Sequence, residues 1–126
     1  MALTQDDFVG AVTKLNELTR QQVIKWLPCN FPSKAPVTKN AFVGPYEAKY
    51  SYETAYEDRI LRITEYVAPG VALIGNVSHK YVLDLRDQDG NVVFEFPDVA
   101  GIADLFWSVQ TGKVDIEGFI RKLVAG

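Results

Sequence analysis

The sequence predicts an α+β fold: an N-terminal helix, a four-stranded antiparallel meander made of two hairpins, and two C-terminal helices packed on one face of the sheet. Residues 81–96 read as two alternating arms, Tyr-Val-Leu-Asp-Leu-Arg and Asn-Val-Val-Phe-Glu-Phe, around the link Asp-Gln-Asp-Gly. Apolar residues recur at helical spacing near both ends of the chain. Helices segregated from strands along a sequence mean α+β rather than α/β architecture. The 126 residues and 48% apolar content suit one domain, residues 1–126, whose core needs no staples.

The first helix is expected over residues 5–18. Thr4 and Asp7 have the spacing of a capping box, and Phe8, Val12 and Leu15, with Ala11 and Leu18 beside them, form a stripe of period near 3.6. Thr19 to Gln22 repeats the capping signature. Val23 to Leu27 therefore reads either as a short restarted helix or as a short strand, with Pro28 ending either one. Residues 28–40, with Pro28, Pro32 and Pro36, are loop, and Phe31 is expected to anchor it.

A strand follows over residues 42–54. Phe42, Tyr46, Ala48, Tyr50 and Tyr52 fall on one face, with Glu47, Lys49, Ser51 and Glu53 on the other. Pro45 marks its first half as an edge or a bulge. Beyond a turn near Thr54 to Asp58, the second strand spans Arg59 to Val67. Leu61, Ile63 and Val67 share one face; Ile60, Arg62, Thr64 and Tyr66 share the other. Val67 to Ser78 is a loop punctuated by Pro69, Gly70 and Gly75.

In the hairpin of residues 81–96, Tyr81, Leu83 and Leu85 share a face, as do Val92, Phe94 and Phe96. Asp89-Gly90 tolerates the positive φ of a tight turn. A one-residue slip would turn one apolar row toward water, so the register is strongly specified. Pro97 stops the strand. Asp98 is the expected N-cap of a helix over residues 99–110 with the stripe Ile102, Leu105, Phe106 and Val109, and Gly112 fits its C′ position. Asp115 caps a last helix whose stripe is Ile116, Phe119, Ile120 and Leu123. Arg121 and Lys122 complement its dipole.

Thirteen basic and 16 acidic side chains give a net charge of −3, which disfavours duplex nucleic acid but leaves room for a small anionic ligand in a local basic pocket. The single cysteine, Cys29, excludes an internal disulfide and a multi-thiolate zinc site, so neither a metal nor a cofactor is expected. The N-terminus lacks the pattern of a secretory leader, and no apolar run approaches the ~18 residues of a membrane span. A cytoplasmic protein with no membrane contact is the expectation.

The face opposite the helices is expected to carry Lys49, Ser51, Arg62, Thr64, Lys80, Asp84, Arg86 and Glu95, interleaved with Ile60, Tyr66, Val82 and Val93. The plainer interpretation is a solvated face stabilised by cross-strand charge pairs. The sharper one is the floor of a groove for a nucleotide-like anion. Arg62 and Arg86 would clamp phosphate or carboxylate, Lys80 and Lys49 would add charge, and Tyr66 would stack a base. Trp107 lies off the buried stripe of its helix and is assigned to an interface, together with Tyr56.

Catalysis is not expected. His79, the only histidine, would have to serve Ser51, Ser78 or Ser108, and no Gly-x-Ser-x-Gly elbow is present. Cys29 has no activating neighbour in sequence. Asp84 and Glu95 stand among basic residues, which lower a carboxylate's pKa, the wrong direction for a general acid.

The segment Leu15 to Trp26 holds Leu-x-x-Leu-Thr with a Trp soon after; two hairpins and a helical tail from Ala103 to Leu123 follow. This plan resembles a loose group of small bacterial and prophage proteins, mostly uncharacterised. Some phage-encoded proteins of this size are homo-oligomeric sponges that sequester cyclic nucleotide signals of bacterial immunity. The resemblance admits that ligand class and assigns no role to any residue. The expectation is a non-catalytic, homo-oligomeric binding protein for a small anion. The alternative is a protein-interaction module (an immunity, adaptor or inhibitor protein) that docks a protein partner and has no small-molecule ligand.

Overall fold

The capping box forms as its residue types demand. In the computed structural model, which describes residues 2–29, 46–68, 78–112 and 116–126, the Thr4 amide donates to Asp7 Oδ2 at 2.8 Å and the Asp7 amide donates to Thr4 Oγ1 at 3.3 Å. These bonds hold the Asp7 carboxyl below its ordinary range. Helix α1 runs Gln5–Arg20, past the expected end. No helix restarts after it. The amides of Val23 and Ile24 both donate to the Leu18 carbonyl, at 2.9 and 3.3 Å, and Gln22 takes a left-handed φ of 60°. The chain then enters a two-residue strand, β1 (Leu27–Pro28). The sheet therefore has five strands rather than four. Pro28 lies inside β1 instead of ending it, which an edge strand permits because an outward amide has no ladder partner to lose.

The remaining strands are β2 (Glu47–Tyr56), β3 (Arg59–Ala68), β4 (Ser78–Arg86) and β5 (Val92–Glu95), in the order β1-β2-β3-β4-β5 with antiparallel neighbours throughout. The β2–β3 turn is tight: Tyr56 pairs with Arg59, and Glu57 takes a φ of 56°. Between β4 and β5, Asp87 Oδ1 accepts from the Asp89 and Asn91 amides at 3.0 and 2.9 Å, and Gly90 supplies a φ of 89°. Phe31, Phe42, Pro45, the loop expected over residues 69–77 and the expected cap Asp115 lie outside the described residues.

Two bulges modify the expected rows. Ala48 pairs with Tyr66 but Tyr50 pairs with Glu65, so Lys49 is the extra residue and Ala48 leaves the row of Tyr50 and Tyr52. Leu85 pairs with Phe94 but Arg86 pairs with Val92, so Val92 leaves the row of Phe94.

The main core lies between the sheet and two helices, α1 and α2 (Ile102–Thr111). Val12 and Leu15 from α1 meet Ile102, Leu105, Phe106 and Val109 from α2 over Tyr52, Leu61, Ile63 and Leu83. Phe8 stacks on Phe94 with ring centroids 5.7 Å apart. Asp98 is not the N-cap of α2. That position belongs to Gly101, with φ 101°, where a Cβ would meet Val12 Cγ1 at 3.3 Å. Glycine meets both demands, the left-handed backbone and the close approach of α1.

Helix α3 (Ile116–Ala125) departs from expectation. The described part of its stripe is not buried: Phe119, Ile120 and Leu123 are each at least half exposed. Among the described residues, no helix is long and apolar enough to cross a membrane.

The two apolar environments predict different costs. Leu83→Ala, at a fully buried position, should lower the urea-unfolding free energy by about 3 kcal/mol. Leu123→Ala should change it by less than ~0.5 kcal/mol. Equal losses would mean that α3 belongs to the folding core.

Candidate functional site

Alternation along β2, β3 and β4 places Ser51, Glu53, Arg62, Thr64, Tyr66, Lys80, Asp84 and Arg86 on the face away from α1 and α2, because antiparallel Cα partners share a face. The expectation of a wet face is corrected at its centre. Thr64 is 1% exposed and Tyr66 3%, and Ser51, Asp84 and Arg86 are also buried. The central strand therefore has two dry sides, one apolar and one polar.

The polar side is organised by one cross-strand row. Leu27, Glu53, Arg62, Asp84 and Glu95 are successive partners from β1 to β5. Arg62 Nη2 donates to Glu53 Oε2 at 3.1 Å. Arg86 lies two residues beyond Asp84 and grips it with Nε to Oδ1 at 2.9 Å and Nη2 to Oδ2 at 3.3 Å. Its Nη1 donates to the Gly90 carbonyl at 3.1 Å and ties the turn to the strand. Asp84 and Glu95 face each other with like charge, which is unfavourable across a ladder. The two-pronged contact from Arg86 offsets it. Arg62 Nε is buried with no hydrogen-bond partner among the described residues.

A chain of hydroxyls and a thiol borders the row. Cys29 Sγ donates to Ser51 Oγ at 3.3 Å, and Ser51 Oγ and Thr64 Oγ1 are 2.8 Å apart. Burial pushes the Cys29 thiol up, against smaller lowering effects from Ser51 and Arg62. Cys29 is accordingly a protonated thiol near neutrality, a poor nucleophile. Burial, reinforced by Asp84 and Glu95 against the opposing arginines, pushes the Tyr66 phenol up to about 12. Tyr66 is neutral at any ordinary pH.

Of the sequence-predicted ligand residues, Arg62, Tyr66, Lys80 and Arg86 share this face, and Lys80 is the direct partner of Tyr66. Lys49 is apart from them. It is the exposed bulge residue, and its ammonium lies 5.5 Å from the centroid of the Tyr50 ring. Trp107 on α2 and Tyr56 at the end of β2 are both exposed.

His79 and Ser51 lie on opposite faces. His79 is aligned with the helix-covered face, where its Nδ1 is 3.4 Å from Glu65 Oε2. Burial raises the Tyr81 phenol, with Glu65 adding to it. Glu65 was not anticipated as a partner, although its phase in β3, between Ile63 and Val67, marks it as a carboxylate on the apolar row. Ser108 Oγ accepts from Arg20 Nε at 3.2 Å on the far side of the core. No Ser–His–carboxylate line forms among the described residues, nor does any cluster of three His, Cys, Asp or Glu residues suited to a metal.

A cleft opens where α1, β1 and α2 converge. This cleft of about 260 Å³ is lined by Ile24, Trp26, Leu27, Val109 and Gly112, with Thr19, Gln22 and Lys25 as its polar members. Thr19 Oγ1 donates to the Leu15 carbonyl at 2.7 Å and accepts from Trp26 Nε1 at 3.0 Å, so the polar atoms of its floor are satisfied.

No family model matches the chain, and no curated protein or solved structure is significantly similar to it.

Two measurements probe the polar face. Asp84→Ala strands the Arg86 guanidinium in a dry site and should cost about 3–5 kcal/mol in chemical unfolding; a cost below ~1 kcal/mol would mean the pair is solvated. The second is pH dependence. The folded chain holds the Tyr66 proton more tightly than the unfolded chain, whose tyrosine titrates near 10. That stabilisation is whole below pH ~10 and is lost as pH rises toward 12. Unfolding free energy should therefore fall from pH 9 to 11.5, and Tyr66→Phe should make the fall shallower, with Tyr81 supplying the remainder. An unchanged slope in Tyr66→Phe would contradict the assignment.

Proposed function

We propose that this chain is a non-catalytic protein-interaction module whose working surface is the apolar side of α3. One observation carries the reading: a helix with the stripe of a buried element leaves Phe119, Ile120, Leu123 and Val124 in water. An isolated helix shorter than ~12–15 residues is marginal in water. Ten residues of amphipathic helix therefore draw their stability from a docking partner, and contiguous exposed apolar surface is the usual mark of one.

The sheet face supports the same reading from the opposite direction. Both of its guanidinium groups are engaged by carboxylates. An entering phosphate at Arg86 would have to displace Asp84 from a dry site, at the cost of leaving a carboxylate unpaired, and at Arg62 it would compete with the partly exposed Glu53. The Cys29 thiol and the Tyr66 phenol are both held in their protonated forms, away from the pKa range that suits a nucleophile or base at neutral pH.

A second reading keeps the small anionic, nucleotide-like ligand. What favours it is Arg62 Nε, a buried donor without an acceptor among the described residues. The two readings separate in a thermal-shift panel of nucleotides and cyclic dinucleotides. A ligand at 100 times its Kd stabilises by about 2.7 kcal/mol, so a clear rise in Tm that disappears in Arg62→Lys would establish the anion site. The expected result is a flat panel.

The interaction module is tested at α3 itself. The double variant Phe119→Asp with Leu123→Asp should still fold, with a cooperative melt, because neither side chain is in the core. It should also lose the associations the wild-type chain makes at micromolar concentration, read as mass by light scattering and by chemical cross-linking. A double variant that keeps every wild-type association would remove α3 as the working surface.

A further inference from the structure

We infer that the partner of α3 is a second copy of this chain, and that Phe119 of each copy enters the Trp26–Leu27 cleft of the other in a reciprocal exchange. The inference rests on the interaction-module reading and names its partner. Each copy carries both halves of the contact. One half is the stripe of α3, with Phe119 59% and Leu123 63% exposed. The other is the cleft, with Trp26 in its wall and Leu27 at its rim, 66% exposed. Val23, beside that rim, is exposed as well.

The sizes agree. A cavity of ~150 Å³ lined by apolar side chains admits benzene. The cleft, at about 260 Å³, holds the phenyl ring of one phenylalanine with room for part of a neighbour. Phe119 and Leu123 are one helical turn apart, the spacing of anchors in helix-in-groove recognition. With Phe119 in the cleft, the adjoining turns of α3 lie over Val23 and Leu27. The six exposed side chains concerned, Phe119, Ile120, Leu123, Val124, Val23 and Leu27, offer roughly 100 Å² each, or about 600 Å² per copy, most of the ~800 Å² per partner that a stable interface buries.

The connectivity favours exchange. Gly112 lines the cleft, and Lys113, Val114 and Asp115 separate it from the start of α3. Gly112 and Ile116 are four residue steps apart, at most ~14 Å, so α3 begins close to its own cleft, yet Phe119, Ile120, Leu123 and Val124 remain exposed rather than filling it. A segment next to a complementary site it does not occupy is suited to supplying that site in another copy. Exchange in both directions closes a two-fold dimer with no surface left over.

The experiment uses two charge substitutions at exposed positions, Leu27→Arg on the cleft and Phe119→Arg on the helix, with Leu123→Arg as a second helix variant if the first misfolds. Circular dichroism melts establish that each is folded. Sedimentation should show a dimer for the wild-type chain and, for each variant alone, a dimer Kd raised roughly 30-fold or more. Equimolar Leu27→Arg and Phe119→Arg should then re-form a mixed dimer, because one intact helix meets one intact cleft. A monomeric wild-type chain overturns the inference, as does a mixture that stays monomeric or a Leu27→Arg dimer of wild-type strength. The interaction-module reading survives each of these outcomes if Phe119→Arg still abolishes cross-linking to another protein, and falls with the inference if it does not.

Discussion

Two adjacent rungs of one ladder, Arg62 with Asp84 and Ile63 with Leu83, set the conditions for the rest of the structure. Both sides of β3 are dry, and they are dry for opposite kinds of side chain. A slip of one residue would drive a guanidinium under the helices and an isoleucine into the polar row. The first error alone costs several kcal/mol, since an unpaired buried charge is far more expensive than an exposed methyl group. The register is thus specified twice, by hydrophobicity on one face and by charge pairing on the other.

The polar face shows how a sheet tolerates four charged side chains in a row. Glu53, Arg62, Asp84 and Glu95 stand on four strands, and simple alternation of sign fails at the last pair. Arg86, outside the row, makes up the deficit by holding Asp84 with two nitrogens and the turn carbonyl with a third. The pairing that steadies the β4–β5 hairpin also occupies the groups an anion would use. Structural and ligand-binding roles compete for the same donors, and the present geometry favours the structural one.

The apolar elements differ in fate more than in pattern. Helices α2 and α3 have the same length and comparable stripes, but among the described side chains those of α2 join the core and those of α3 do not. Gly101 lets α2 approach Val12, and Phe106 sits against Tyr81 and Tyr52 with ring centroids 5.0 and 6.0 Å away. Helix α3 has no comparable fit. Amphipathicity states that a helix needs an apolar partner and is silent on whether that partner lies in the same chain.

The sequence by itself determined the capping box of Thr4 and Asp7, the hairpin about Gly90, the apolar stripes of α1 and α2, and the sorting of Arg62, Tyr66, Lys80 and Arg86 to one face. Each follows from spacing within a few residues, where side-chain period and turn chemistry leave little choice. The tertiary structure decided that Leu27 and Pro28 pair with β2, that Lys49 and the Val92–Val93 segment bulge, that the centre of the charged face is buried and that Phe119, Ile120 and Leu123 of the last helix are not. Those outcomes depend on contacts between segments far apart in the chain. Burial is a property of what lies opposite a side chain, and a local pattern carries no record of that.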